Sequence, residues 1–299
     1  MSELTRRSSP GPPSSVSRSS IPPSRRLSLP PGVPAPPPEP TVLEVIGLRF
    51  GALLEHLGRI STILMQAIAA MMRRPFELRS IVYQMESLGV RSVGIASVTS
   101  IFIGMVMAVQ FAFGLQKFGG MEYTGRVVGL SFARELAPTL TAVIVGGRIG
   151  SGMTAEVGSM AVTEQIDAIY ALGADPIKKL VVPRLIASVL VMPLLATFSL
   201  VLGFSGAMIV TSSQFNISAS FFLNSALEAL TLQDFLSGVC KCPVFGGIIA
   251  LVGCYFGLNT TGGTEGVGRS TTRSVVVISI TILIADFLLT KIFLFVWVQ

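Results

Sequence analysis

The sequence predicts an all-α integral membrane protein, in which an N-terminal interfacial amphipathic helix is followed by five transmembrane helices with a short cytoplasmic coupling helix. Of its 299 residues, 51% are apolar and only 13% are charged, whereas a soluble domain carries about 25% charged residues. The mean hydropathy of +0.71 exceeds what one core of this size could bury. Much of the surface must therefore face lipid.

The N-terminal 40 residues differ from the rest of the chain. They hold 12 of the 18 prolines and ten serines, so they cannot bury enough apolar surface to offset the entropy of ordering. Residues 1–40 are predicted to form a disordered cytoplasmic arm. Their Ser- and Arg-rich, acid-poor composition is also typical of an organelle transit peptide, and that alternative stays open.

An amphipathic helix is expected next. Apolar residues between Leu53 and Met71 recur at helical spacing, while Glu55 and Arg59 occupy other faces. Because the polar side does not suit the bilayer centre, we expect this helix to lie in the headgroup plane; a short first span is the alternative. Residues 41–92 are assigned to this interfacial region and residues 93–299 to a transmembrane domain.

Apolar runs locate the spans, since about 20 apolar residues cross the hydrocarbon core. Spans are expected at residues 92–116, 136–155, after Arg184, 235–258 and 275–298, with an exposed loop or short surface helix at 211–224. Eleven of the 22 Lys and Arg residues precede Ser92, and none lies in 211–234. This distribution favours a cytoplasmic N-terminus.

Several classes of function have little support. The three cysteines lack C-x-x-C spacing, and the single histidine, His56, has no neighbours at ligand spacing. We therefore expect no metal site and no catalytic residues, and the basic residues are not interleaved with aromatics as in a nucleic-acid surface. The run from Gly263 to Ser270 fits a phosphate-binding loop except that Arg269 replaces its lysine. Because this run joins two predicted spans, it is interpreted as a flexible turn, so no cofactor is expected on this chain and any ATP would be hydrolysed by another.

Ionisable residues at membrane depth are the main candidates for function. Arg134 and Glu135 open the second span, and Lys241 lies near the outer end of the fourth. They are either interfacial charges, with Lys241 reaching outward to water, or the lining of a cavity for a phospholipid headgroup. Arg148 follows about 20 Å further along the helix, and Asp286 could pair across helices with Lys241 or Arg148.

A polar segment after the second span predicts a short amphipathic helix on the cytoplasmic side, because apolar residues recur there at helical spacing. It is either a solvated connector or a coupling helix that docks on a partner. The residues concerned are Thr163, Glu164, Gln165, Ile166, Asp167 and Tyr170.

Several motifs in fixed order resemble the MlaE (YrbE) family of ABC-transporter permeases, which includes plastid lipid-transfer permeases. The resemblance covers about Val42 to the C-terminus. It is carried by Arg134-Glu135-Leu136-Ala137-Pro138, Gly147-Arg148-Ile149-Gly150-Ser151, Thr163-Glu164-Gln165-Ile166-Asp167-Ala168 and Gly266-Val267-Gly268-Arg269-Ser270.

The resemblance implies a homodimeric permease that moves phospholipid between the inner membrane and an MCE-domain protein. A separate cytoplasmic ABC ATPase would use the ATP, often with a STAS-domain subunit bound to it. The helix around residues 163–172 would contact that ATPase, and Arg134, Glu135 and Lys241 match positions near the family's lipid pocket. The location implied is a bacterial inner membrane or a plastid inner envelope. A non-transporting scaffold that anchors an MCE-type protein is the alternative.

Overall fold

The computed structural model describes residues 42–72 and 77–297, with side chains at 51, 54–72 and 77–295. The predicted arm at 1–40 lies outside the described residues. Most of the described residues are helical and none of them forms a strand, which confirms the all-α fold class. The helices are α1 (Val42–Met71), α2 (Leu78–Gln116), α3 (Thr124–Ser131), α4 (Ala137–Val162), α5 (Gln165–Ala171), α6 (Val182–Gln214), α7 (Ala219–Ala229), α8 (Leu232–Leu258) and α9 (Gly263–Trp297).

Five segments of the described chain are long and apolar enough to cross a membrane, as predicted. They are Leu78–Gln116, Met121–Val162, Ile177–Gln214, Leu232–Leu258 and Gly263–Phe295. Most begin earlier or end later than the apolar runs. A helix satisfies its own backbone hydrogen bonds, so it continues past the charges that bound each run.

The structure bears out one predicted connection and corrects another. Residues 211–224 divide between the end of α6 and α7, the short surface helix of the two alternatives, with Ser218 Oγ accepting a hydrogen bond from the Phe221 backbone N–H at 3.3 Å. The flexible turn predicted from Gly263 to Ser270 was wrong, because those residues form the first two turns of α9. Within α9 the Arg269 guanidinium pairs with Glu265 four residues earlier at 3.2 Å. A phosphate-binding loop cannot form from a continuous helix.

Helix α1 packs its C-terminal half against the transmembrane core. Ala67 is fully buried there, and Ile60 and Leu64 pack against the same cluster. Nearer the middle of the helix, His56 Nδ1 lies 2.5 Å from the Tyr255 hydroxyl on α8. The helix also begins earlier than the periodicity from Leu53 predicted.

The spans pack through small residues and buried hydroxyls. A Cβ added to Gly104 on α2 would overlap the carbonyl oxygen of Gly203 on α6, so these backbones approach more closely than larger residues would allow. On the other side of the core, the buried Thr154 hydroxyl of α4 lies 3.0 Å from the Gly253 carbonyl of α8 and 2.9 Å from the Ser274 hydroxyl of α9. These contacts fix the helices that carry the charged residues.

Candidate functional site

A π-helical turn at Phe132–Leu136 positions the first pair of charged residues. Pro138, at the start of α4, has no N–H to donate to the carbonyl of Arg134 four residues earlier. That carbonyl instead accepts from Lys241 Nζ at 3.4 Å. Such turns occur frequently at functional sites, and here the turn places Arg134 and Glu135 opposite α8.

Lys241 is the centre of a buried charged cluster. Its side chain is 1% exposed, and its Nζ donates to Glu135 Oε2 at 2.7 Å and to Asp286 Oδ1 at 3.2 Å. The third partner is the Thr290 hydroxyl at 2.7 Å, which itself lies 3.1 Å from Glu135 Oε1. An ammonium has three donors, so these three acceptors satisfy it, and the Arg134 carbonyl at 3.4 Å is a longer fourth contact. Lys241 is therefore buried among its partners in the protein and does not reach outward to water.

Arg134 forms the second ion pair of the site. Its Nε donates to Asp234 Oδ1 at 2.6 Å, while its side chain stays 48% exposed. Asp234 is held by a capping box at the start of α8, where it accepts from the Thr231 backbone N–H at 2.9 Å and from the Thr231 hydroxyl at 2.7 Å. The carboxylate is thus fixed, and the exposed part of the guanidinium faces the space beside it.

That space is a cavity of about 620 Å³, within the usual range for small-molecule sites. All three residues proposed from the sequence, Arg134, Glu135 and Lys241, line it. The lining combines these charged and polar groups with an apolar wall. The full lining comprises Leu130, Ser131, Arg134, Glu135, Ala229, Thr231, Gln233, Asp234, Ser237, Lys241, Thr290, Phe293 and Leu294.

The two other intramembrane charges have different environments. Asp286 pairs with Lys241, one of the two partners considered. Arg148 lies apart from the cavity, where its Nη1 donates to the buried Ser92 hydroxyl on α2 at 2.7 Å. Sequence reasoning missed Asp234, although it lies two helical turns before Lys241 and so on the same face of α8.

The predicted coupling helix is α5, which is shorter than residues 163–172. Ile166 is buried among Val157 and Leu180 and so attaches the helix to the spans instead of facing outward. Glu164 precedes the helix with a positive φ of 59°, a conformation uncommon for residues other than glycine. The remaining candidates are all exposed: Thr163, Glu164, Gln165, Asp167 and Tyr170.

Five spans, a charged cavity among them and a short helix between the second and third define a polytopic α-helical membrane protein. The sequence model described as Permease MlaE matches residues 81–292. The chain therefore belongs to the MlaE permease family, and the resemblance inferred from the motifs is confirmed.

Individual relatives agree with this assignment. A probable ABC transporter permease protein of Synechocystis sp. is 46% identical over 212 residues, covering 71% of this chain and 81% of the relative. The chloroplastic protein TRIGALACTOSYLDIACYLGLYCEROL 1 of Arabidopsis thaliana is 39% identical, over 76% of this chain and 65% of its own length. A probable ABC transporter permease protein of Rickettsia bellii is 38% identical, over 83% and 96% respectively. The chain is accordingly a multi-pass membrane protein of a transporter permease family.

Proposed function

We propose that this chain is the permease subunit of an ABC-type lipid transporter and that the cavity at Arg134, Glu135 and Lys241 receives a phospholipid headgroup. The observation that carries the proposal is the cavity itself, where ionisable side chains meet an apolar wall beside membrane-spanning helices. Burying charge at membrane depth costs several kcal/mol, so a purely structural helix contact would not favour the four charged residues that line this cavity. A lipid supplies both a charged headgroup and apolar chains.

The charged residues that line this cavity have different roles in the proposed site. Lys241 is already neutralised by Glu135 and Asp286, so it organises the walls. Arg134 has one carboxylate partner and remains about half exposed, which makes it the cation best placed to meet a phosphate. Glu135, 39% exposed, is available to an ammonium group on the same headgroup.

The work would come from a separate cytoplasmic ABC ATPase, as the name ABC transporter permease implies. We propose that α5 is its contact, because exposed Asp167 and Tyr170 stand on a helix that Ile166 anchors to the spans. The rest of the proposed assembly is a homodimer with an MCE-domain protein, sometimes with a STAS-domain subunit. Its proposed location is a bacterial inner membrane or plastid inner envelope, with the N-terminus in the cytoplasm.

A reconstituted transfer assay tests the function. The permease and its co-purifying ATPase are placed in donor vesicles with labelled phospholipid, and arrival in acceptor vesicles carrying the MCE-type partner is measured with ATP and with a non-hydrolysable analogue. Transfer that depends on ATP hydrolysis is expected. If the complex forms but transfer is the same with both nucleotides, the chain is a membrane scaffold and the transport proposal is wrong.

A further inference from the structure

A second cleft, of about 370 Å³, lies between the first turns of α2 and the start of the third span. It is separated from the cavity at Arg134, because Glu135 lies just before α4 and Glu156 in the C-terminal half of α4, about 30 Å further along at 1.5 Å per residue. Glu156 pairs with Arg184, which lines the cleft. The cleft is therefore a distinct feature that the transport cavity does not explain.

Cations dominate its lining. Arg79, Lys179 and Arg184 line the cleft together with one carboxylate, Glu77, whose Oε2 accepts from the Ser80 hydroxyl at 3.0 Å. In the part of the chain that the structure describes, no carboxylate lies within ion-pair distance of Arg79 or Lys179. The cleft thus carries a surplus of positive charge.

Arg184 is the buried component. Its side chain is 4% exposed, with Nη2 2.7 Å from Glu156 Oε1 and Nη1 donating to the Leu180 carbonyl at 2.7 Å. Its Nε is buried without an acceptor among the described residues. Unpaired buried donors are uncommon in folded proteins; the charge of Arg184 is paired with Glu156, and its Nε–H remains an unsatisfied donor beside the cleft.

Apolar side chains continue the surface beside the cleft. Tyr83 on the lining is 62% exposed, and Val90, two turns further along α2 and so on the same face, is 67% exposed. Tyrosine and basic residues at the ends of apolar runs are typical of the headgroup level of a bilayer. A soluble anion would make no use of this adjoining apolar face, whereas acyl chains would cover it.

We propose that this cleft binds the phosphate of an anionic phospholipid from the surrounding leaflet, with Arg79 and Lys179 as its cationic contacts and the acyl chains along Tyr83 and Val90. The lipid is a resident of the cleft and not the transported cargo. It would hold the start of α2 against the start of the third span.

A local fluorescent reporter tests the proposal. The chain has one tryptophan, Trp297, so Trp297→Phe with Tyr83→Trp places a single reporter in the cleft. The full chain is reconstituted in phosphatidylcholine vesicles containing a minority of phosphatidylglycerol, with bromine on the acyl chains of one lipid or the other. Because each cation near an anionic lipid favours it by about fivefold, the two cations together should enrich phosphatidylglycerol by up to about 25-fold at the reporter.

Arg79→Glu with Lys179→Glu should abolish that enrichment, and Arg79→Gln with Lys179→Gln should do so if the double reversal does not fold. Lys178→Glu is the matched control, since it removes the neighbouring charge outside the lining, and it should keep the enrichment. The proposal is overturned if the parent shows no preference, if the double variants retain it, or if Lys178→Glu loses as much. If added inorganic phosphate removes the preference more than chloride does at equal ionic strength, the site binds a soluble anion instead and the proposal is wrong.

Discussion

Lys241 Nζ lies 2.7 Å from Glu135 Oε2, which joins α8 to the π-helical turn ahead of α4. Asp286 on α9 contacts the same ammonium group, with its Oδ1 3.2 Å from Lys241 Nζ. Three spanning segments are thus tied at one buried cation that also lines the cavity. Helix packing and the shape of the proposed binding site consequently depend on the same interaction.

Lys241→Met should strongly destabilise the protein. Removing one partner of a buried ion pair leaves an uncompensated charge, which costs about 3–5 kcal/mol, and here two carboxylates would face each other. Thermal unfolding in detergent measures the change. Lys291→Met is the control, because Lys291 is exposed and its Nζ is 5.9 Å from the Phe287 ring centroid.

Adding Glu135→Gln and Asp286→Asn to Lys241→Met should recover part of the lost stability, since the neutral amides no longer repel. Equal unfolding temperatures for Lys241→Met and Lys291→Met would contradict the role given to the cluster.

The existence of the spans and most of the charged residues of the site could be predicted from the sequence. Long apolar runs have few alternatives to a membrane helix, and a charge such as Lys241 inside such a run is conspicuous. The π-helical turn also has a signal in the sequence. Pro138 stands four residues after Arg134 and has no N–H to donate to the Arg134 carbonyl.

Pairing between helices could not be predicted. The sequence left two possible partners for Asp286, Lys241 and Arg148. Only the packing of α9 beside α8 selects Lys241. Asp234 was overlooked because a carboxylate at a helix start is ordinarily explained by capping. It does cap α8, but its other oxygen also accepts from Arg134, and that second contact exists only in the tertiary structure.

Arg134→Gln should reduce the phospholipid that co-purifies with the permease. A charge-assisted hydrogen bond contributes about 1.5–3 kcal/mol, so binding should weaken by about tenfold or more. Mass spectrometry of extracted lipid gives the measurement. Arg126→Gln is a matched control, because Arg126 is also 48% exposed and also paired, with Glu228 at 3.2 Å, but lies outside the cavity lining. An unchanged lipid load in Arg134→Gln, or an equal loss in both variants, would count against the headgroup site.

Gly104→Ala should destabilise the contact between α2 and α6. Its added Cβ would overlap the Gly203 carbonyl oxygen, and overpacking of this kind costs about 1–3 kcal/mol. Gly94→Ala on the same helix meets open space, so it should be neutral or stabilising by up to about 1 kcal/mol through helix propensity. Opposite shifts in unfolding temperature are expected; if both variants shift in the same direction, the close approach of these helices is not a determinant of stability.

Glu164→Lys combined with Asp167→Lys should separate the permease from its ATPase while leaving the fold intact. Both side chains are exposed, and the buried Ile166 that attaches α5 to the spans is unchanged. Because like charges placed across an interface cost several kcal/mol, recovery of the ATPase with the tagged permease should fall by about tenfold or more. Glu265→Lys provides the control, since Glu265 is 88% exposed and lies in the first turn of α9 outside α5. Full co-purification and normal ATPase stimulation in the double variant would remove α5 from the coupling surface, whereas a loss confined to Glu265→Lys would move that surface to the start of α9.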